Sequence, residues 1–220
     1  MHTTPLNVSS TNEVEPITAT IELVTESNIA NVVALEVLAF NADPASRWLY
    51  PEPRQYLTYF PQFISFFGGK AFEHNTAYYI GDYVGAALWL PPGIEPDTQP
   101  LVDLIQHSLP EQTQADMFAL LEQMEHYHPT EPHWYLAILG VEPKHQRKGY
   151  GSALIQNILQ ECDRTQTPAY LESTNLSNVH FYEQHGFEAI GTIQAGISPT
   201  LFPMIRQPLR GSQKSNILNP

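Results

Sequence analysis

The sequence predicts an α/β protein built on a mixed, strongly twisted sheet of about six to seven strands with helices on both faces. Three observations carry this. From His133 onward the chain reads strand, loop, helix, strand, helix, an order that joins two neighbouring parallel strands by a right-handed crossover. Upstream, "TAYYIGDYVGAALWLPPG" holds two apolar runs around Gly81-Asp82, a turn signal that joins antiparallel strands. Downstream, "EAIGTIQ" and "LFPMIRQ" supply two more strands, expected to be antiparallel.

Each element has its own local reason. "TATIELV" is a short strand, and "TESNIANVVALEVLAF" repeats Ile29, Val32, Val33 and Phe40 at helical spacing behind a Thr25/Ser27 start signal. "NADPASRWLYPEPRQYL" breaks that pattern with prolines, and "RQYLTYFPQFISFFGG" is an aromatic-rich helix that stops at Gly68-Gly69. The segment Gln99 to His126 reads as one or two helices with a break near Pro110. "HWYLAILGV" is apolar on both faces and therefore central, "GYGSALIQNILQECDRT" is a helix, "AYLEST" a second buried strand, and "NVHFYEQHGF" a short helix and turn. There is no internal repeat. The expected organisation is a flexible tail over 1–18, one domain over 19–208 and a C-terminal tail over 209–220, because "RGSQKSNILNP" and the Thr/Ser/Asn-rich start carry no apolar period.

Composition excludes several classes of partner. Ten Lys and Arg against 23 Asp and Glu give a net charge of −13 over 220 residues, a field that repels nucleic acid and anionic membrane alike. No apolar run is long enough to span a bilayer, and the start lacks the basic end and apolar centre of a signal peptide. The sole cysteine, Cys162, sits in a helical pattern and has no disulfide partner within the chain. A cytoplasmic setting is the expectation. His126, His128 and His133 fall close together around Pro129 and Pro132, but no cysteine assists them; no metal is expected, and they read as surface imidazoles.

Against this acidic background, "VEPKHQRKGYGSAL" gathers Lys144, His145, Arg147 and Lys148 beside two glycines at a helix start. Free backbone N–H groups there point toward an anion, the helix dipole favours it, and glycine lets a phosphate approach. The alternative is a tight turn with solvated basic residues. Two familiar glycine motifs fail: a dinucleotide fingerprint wants glycine at Leu154, and a P-loop wants Lys after its glycine, whereas Lys148 precedes Gly149.

The pattern Gln146-x-x-Gly149-x-Gly151 after V-x-P resembles the Q/R-x-x-G-x-G/A signature of the GNAT N-acetyltransferases, in which this loop binds the pyrophosphate of acetyl-CoA. Asn178, Phe181, Tyr182, Gly186 and Phe187 are similar to the N-x-x-x-Y-x-x-x-G-F end of that family, in the right order and at a suitable distance. Further likeness in "WYLAILGVEPKHQRKGYGSAL", Glu172-Ser173, "ASRW" and "ALWLPP" points to the puromycin N-acetyltransferase-like branch. The resemblance implies the GNAT (acyl-CoA N-acyltransferase) fold and acetyl-CoA as cosubstrate. It implies a coenzyme site made by Leu139, Gly140, Val141, Gln146, Arg147, Lys148, Gly149, Tyr150, Gly151 and Ser152 together with Asn178 and Phe181. Asn178 would contact the pantetheine arm, and Tyr182 would protonate the leaving thiolate. A core tyrosine is the alternative for Tyr182. The family geometry also implies a bulge at Gly140 that splays the two parallel strands, with the Gly140 or Val141 N–H polarising the thioester. Many relatives pair, so a homodimer is an expectation too.

The expected acceptor is a primary amine of a small molecule, and acetyl transfer to it needs a base, since a free alkyl amine is mostly protonated at neutral pH. Many relatives put a glutamate on the central strand, but "HWYLAILGV" has none. Glu172, next to the apolar run "PAYL" at a strand end, is the candidate; an N-cap, a salt bridge or a solvated strand end are its alternatives. Trp134, Trp48 and Trp89 are candidates for an acceptor pocket suited to an apolar or aromatic body, with core packing as the alternative for each. A peptide or protein amine is the second reading of the acceptor. A non-catalytic acyl-CoA-binding regulatory domain is the rival from another class.

Overall fold

The computed structural model describes residues 20–209. The expected tail over 1–18 lies outside the described residues, and so does the expected tail over 209–220 apart from Leu209. Strand β1 (Ile21–Leu23) is followed by helix α1 (Ile29–Ala39), which turns Val32, Leu35 and Val37 inward along with one charged residue, Glu36. The proline-rich stretch after it departs from expectation, because it contains a short helix, α2 (Pro44–Leu49). Pro44 occupies the first helical position, where a missing N–H costs nothing, and Asp43 Oδ1 accepts hydrogen bonds from the Ala45 and Ser46 N–H groups at 2.9 and 3.1 Å.

Helix α3 (Pro53–Phe67) ends at Gly68 as its sequence predicts, and glycine is needed there because a Cβ would come within 2.9 Å of Leu88. After the single turn α4 (Lys70–Glu73), strands β2 (Ala77–Ile80) and β3 (Gly85–Leu90) form the expected hairpin. Helices α5 (Thr98–Ser108) and α6 (Glu111–Tyr127) break at Leu109-Pro110. Then come β4 (Trp134–Val141), α7 (Tyr150–Thr165), β5 (Ala169–Ser173), α8 (Leu176–Glu183), β6 (Glu188–Ala189) and β7 (Phe202–Arg206). The strand expected from "EAIGTIQ" is cut to two residues, with an isolated bridge from Ile193 to Leu201 beyond it.

The seven strands run in the order β1-β2-β3-β4-β5-β7-β6, and every pair is antiparallel except β4 with β5. All six residues of β3 are buried, as a central strand requires. Side-chain alternation divides the core into two clusters. Ala86, Leu88, Leu90, Tyr135 and Ile138 face α1, α3, α5 and α6, whereas Ala87, Trp89 and Leu136 face α7. The division decides which aromatics can reach a ligand.

The parallel pair is held only at Trp134–Ala169 and Tyr135–Tyr170. Beyond these, β4 stays paired to β3 as far as Val141 and β5 to β7 as far as Ser173, so their facing edges part and a cleft opens. The bulge lies elsewhere than expected. Gly140 pairs regularly with Ala86, and the extra residue is Ala137, between the Leu88–Ile138 and Trp89–Leu136 partners. Glycine at 140 has a different cause: α1 lies over it, and a Cβ would overlap the Glu36 carboxyl and approach Ala39.

Candidate active site

Two hollows meet where β4 and β5 separate. One is the cleft itself, lined by Leu139, Gly140 and Val141 of β4, by Leu171, Glu172 and Ser173 of β5, and by Ser177, Asn178 and Tyr182 of α8. The other is an apolar cavity walled by Phe40, Trp48, Phe60, Phe63, Phe67, Tyr135 and Met117, drawn from α2, α3, α6 and β4. Phe40, Asp43, Ala137, Glu172 and Thr174 line both. The two hollows therefore adjoin at these residues, and a molecule in one can meet a molecule in the other there.

Gln146 lies at the mouth of the cleft, where its amide donates to the Val141 carbonyl at 3.1 Å and fixes the start of the loop. In the loop, Glu142 contacts Lys144 at 2.9 Å and His145 at 2.8 Å, so those side chains are already engaged. Arg147 and Lys148 are exposed. Arg147 and Gly149 adopt left-handed backbone (φ 61° and 89°), which turns the chain into α7 with no side chain capping its first N–H groups. That leaves donors free for an anion at Tyr150, Gly151 and Ser152. Phe181 packs on Gly151, Tyr182 and His185 and is not among the residues that line the cleft.

Glu172 is at the junction. Its Oε2 accepts a hydrogen bond from the Tyr135 hydroxyl at 2.8 Å, and Oε1 is buried without a partner. The Tyr170 hydroxyl is near enough to favour the carboxylate but makes no well-directed bond to it. Burial outweighs both hydroxyls and raises the carboxyl to about 7. Of the alternatives for Glu172, an N-cap and a solvated strand end do not hold, because its side chain is 4% exposed and Asn175 caps α8.

Asp43 is a residue that sequence reasoning missed. Its Oδ2 accepts from the Thr174 hydroxyl at 2.6 Å while Oδ1 caps α2, and burial raises its pKa despite these donors. The Asp-Pro cap signature was legible; its approach to Thr174 on the far side of the chain was not. Glu36 was missed as well. Fully buried, with neither carboxylate oxygen in a formed hydrogen bond, it is raised well above the usual carboxylate range by desolvation, which the nearby Gly140 backbone offsets only partly. A lone glutamate within "VVALEVLAF" was the available signal.

Tyr182 lies in the cleft wall, its phenol raised by burial first and then by the negative fields of Asp43 and Glu36. It keeps its proton at neutral pH and can donate it. Of the three tryptophans, only Trp48 lines the cavity. Trp89 is fully buried and Trp134 half-buried on the α7 side, because strand alternation turns both away. Tyr135, between Trp134 and Leu136, faces the cavity instead. His126 is exposed, as the surface reading has it, whereas His128 and His133 are partly buried. His128 packs edge-on against Tyr135 and Tyr170 with ring centroids 4.9 and 4.8 Å away, and His133 packs on both His128 and Tyr170.

The chain is 30% identical over 164 residues to an uncharacterized N-acetyltransferase of Schizosaccharomyces pombe, a match covering 64% of this chain and 63% of that relative's length. Among solved structures, the histone acetyltransferase HPA2 and related acetyltransferase of Corynebacterium glutamicum superposes with a TM-score of 0.63 at 23% identity, over 88% of this chain and 98% of the other. Arylalkylamine N-acetyltransferase 2 of Aedes aegypti gives 0.61 at 15% identity, over 86% and 99%. The polyamine N-acetyltransferase of Drosophila melanogaster gives 0.59 at 12%, over 86% and 99%. At these identities the likeness is one of fold. Residues 37–187, which run from the last turn of α1 to the end of the α8 turn and include all of the cleft lining and all of the cavity lining but Leu201, match the model of the acetyltransferase (GNAT) family, and the chain belongs to that family.

Proposed function

We propose that the protein is an N-acetyltransferase that moves the acetyl group of acetyl-CoA by direct attack onto a primary amine of a small molecule with an apolar or aromatic body. The observation that carries this reading is the meeting of the polar cleft and the aromatic cavity at Glu172. The residues present fit the coenzyme. Unpaired backbone on the facing edges of β4 and β5, with Asn178 and Ser177 beside it, suits an amide-bearing pantetheine arm, and the open start of α7 with Arg147 and Lys148 suits its phosphates. When bound, acetyl-CoA supplies the activated carbonyl and a thiolate leaving group.

The chain's residues then divide the work. Glu172, with its free Oε1 and a carboxyl held at about 7, takes a proton from the incoming ammonium. Asp43, held by Thr174, presents a second acceptor to the same cation from the opposite wall. The aromatic rings exclude water and hold the body of the amine. Tyr182 returns a proton to the departing sulfur. The lack of a carboxylate on β4 favours a domain without turnover, and the carboxyls of Glu172 and Asp43 at the junction count against that. The Aedes and Drosophila neighbours, whose names specify arylalkylamine and polyamine acceptors, agree with an amine acceptor.

A thiol-release assay with acetyl-CoA across aryl and alkyl amines, amino acids and short peptides tests the proposal. Turnover confined to amines with an apolar body is the expected result. Coenzyme binding without turnover on any acceptor would overturn the enzymatic reading, and turnover on peptides alone would move the acceptor to the second reading.

A further inference from the structure

Acetyl transfer to an amine has a proton balance that the two hollows alone do not close. A protonated amine and a thioester become an amide, a thiol and one free proton: the C–N bond forms, the C–S bond breaks, one N–H proton ends on sulfur and one must leave the protein. On the reading above, that last proton sits on Glu172. Its side chain is 4% exposed, and amine and coenzyme occupy the hollows on either side of it. Glu172 must be emptied each turnover by another route.

Behind the junction there is one. Glu172 Oε1, the oxygen without a hydrogen-bond partner, lies 4.0 Å from His128 Nδ1. His128 lines neither hollow, and its side chain is 27% exposed, so it joins the sealed carboxyl to the surface. We infer that His128 is a positioning residue acting through Glu172, which passes the proton from Glu172 Oε1 to solvent and so resets the base between turnovers. The imidazole, neutral with its proton on Nε2, accepts at Nδ1 and releases from Nε2; this leaves the other neutral tautomer, and exchange of the Nδ1 proton with solvent restores the first before the next turnover.

The surroundings suit this task. His128 is faced by His133 from the segment before β4, by Tyr135 on β4, by Tyr170 and Glu172 on β5, and it directly follows Tyr127 at the end of α6. Its ring is clamped among Tyr135, Tyr170 and His133, which keeps Nδ1 toward the carboxyl. His133 is next in line: its Nδ1 donates to the Glu131 carbonyl at 2.8 Å, which leaves Nε2 as an open acceptor. Burial and the His133 ring lower His128 to about 4, below Glu172, so the imidazole is neutral in the resting protein and passes the proton without retaining it.

The test rests on the N-acetyltransferase reading and can fail separately from it. With the best amine of the panel and saturating acetyl-CoA, wild type, Glu172→Gln, His128→Phe and His128→Gln are compared at low buffer concentration and with added imidazole. Both His128 variants are expected to lower kcat about tenfold with KM for either substrate little changed, to show a larger solvent isotope effect, and to regain rate with imidazole. His128→Phe keeps the aromatic packing, and its Tm separates loss of fold from loss of relay. Wild-type kcat in both variants while Glu172→Gln is inactive would overturn the relay alone. A loss that imidazole does not restore would also overturn it, in favour of a packing role. Full turnover in Glu172→Gln would overturn the base and the relay together.

Discussion

The cleft and the cavity share five residues yet are made in different ways. Apart from Ala39, Phe40, Ala42 and Asp43 at the end of α1 and the turn into α2, the cleft comes from one stretch of chain, β4 through α8, in which a strand end, a turn and a helix start follow one another. Its polar groups are backbone groups or short side chains placed by local geometry. The cavity is assembled from α2, α3, α6 and β4, whose rings meet only because those helices pack on the same face of the sheet. Groups that handle the common coenzyme are encoded locally, and the walls that select the acceptor are encoded by packing. The junction between them is where both must agree.

The sharpest way to break this comparison is at the junction. Glu172→Gln is expected to lower kcat/KM by about 10²- to 10⁴-fold, the range for a lost general base. The carboxyl is raised to about 7 and must be ionised to act, so wild-type activity falls as the pH drops below about 7 and the variant lacks that limb. A pH–rate profile of both measures it. Tyr182→Phe, in the cleft wall, is expected to lower kcat by about 10²-fold, with the largest deficit at high pH, where protons for the leaving thiolate are scarce. Steady-state thiol release checks it.

A third pair of variants separates the two sheet faces. Trp48→Ala is expected to raise KM for the amine about tenfold and leave KM for acetyl-CoA unchanged. Trp89→Ala, on the α7 face, is expected to cost about 3–5 kcal/mol of stability with no selective effect on the amine. Denaturation and kinetics on both variants decide whether the divided core is right. The smallest effect is expected at Glu36. Its folded pKa lies above the unfolded value, so the stability it contributes is fully present at low pH and lost as pH rises. Glu36→Gln should therefore raise Tm by about 2–4 °C at pH 8 and by less at pH 5, read by thermal melts at both.

Particular elements show how far the sequence could be read. The β-loop-α-β-α order, the hairpin and the break before Pro110 were legible because apolar period, glycine and proline act within a few residues. Helix α2 was not, since the prolines around it read as breakers until Pro44 is placed at the first turn. Tyr182, Asn178 and Gln146 were legible through motif spacing and line the cleft. Trp89 and Trp134 were chosen for size, but a strand residue's direction depends on the sheet's register and on the bulge at Ala137.

By itself the sequence determined the order of strands and helices apart from α2 and the single turn α4, the glycine turn into α7, the resemblance to the family, and a carboxylate at the end of a buried strand. Only the tertiary structure decided that Asp43 meets Thr174, that Glu36 lies over Gly140, that Trp48 and Tyr135 wall the cavity, and that His128 stands behind Glu172. Turns, caps and periodicity arise from forces between residues close in sequence. Desolvation of a carboxyl, the facing of a side chain and the meeting of distant groups arise from which surfaces the fold removes from water together.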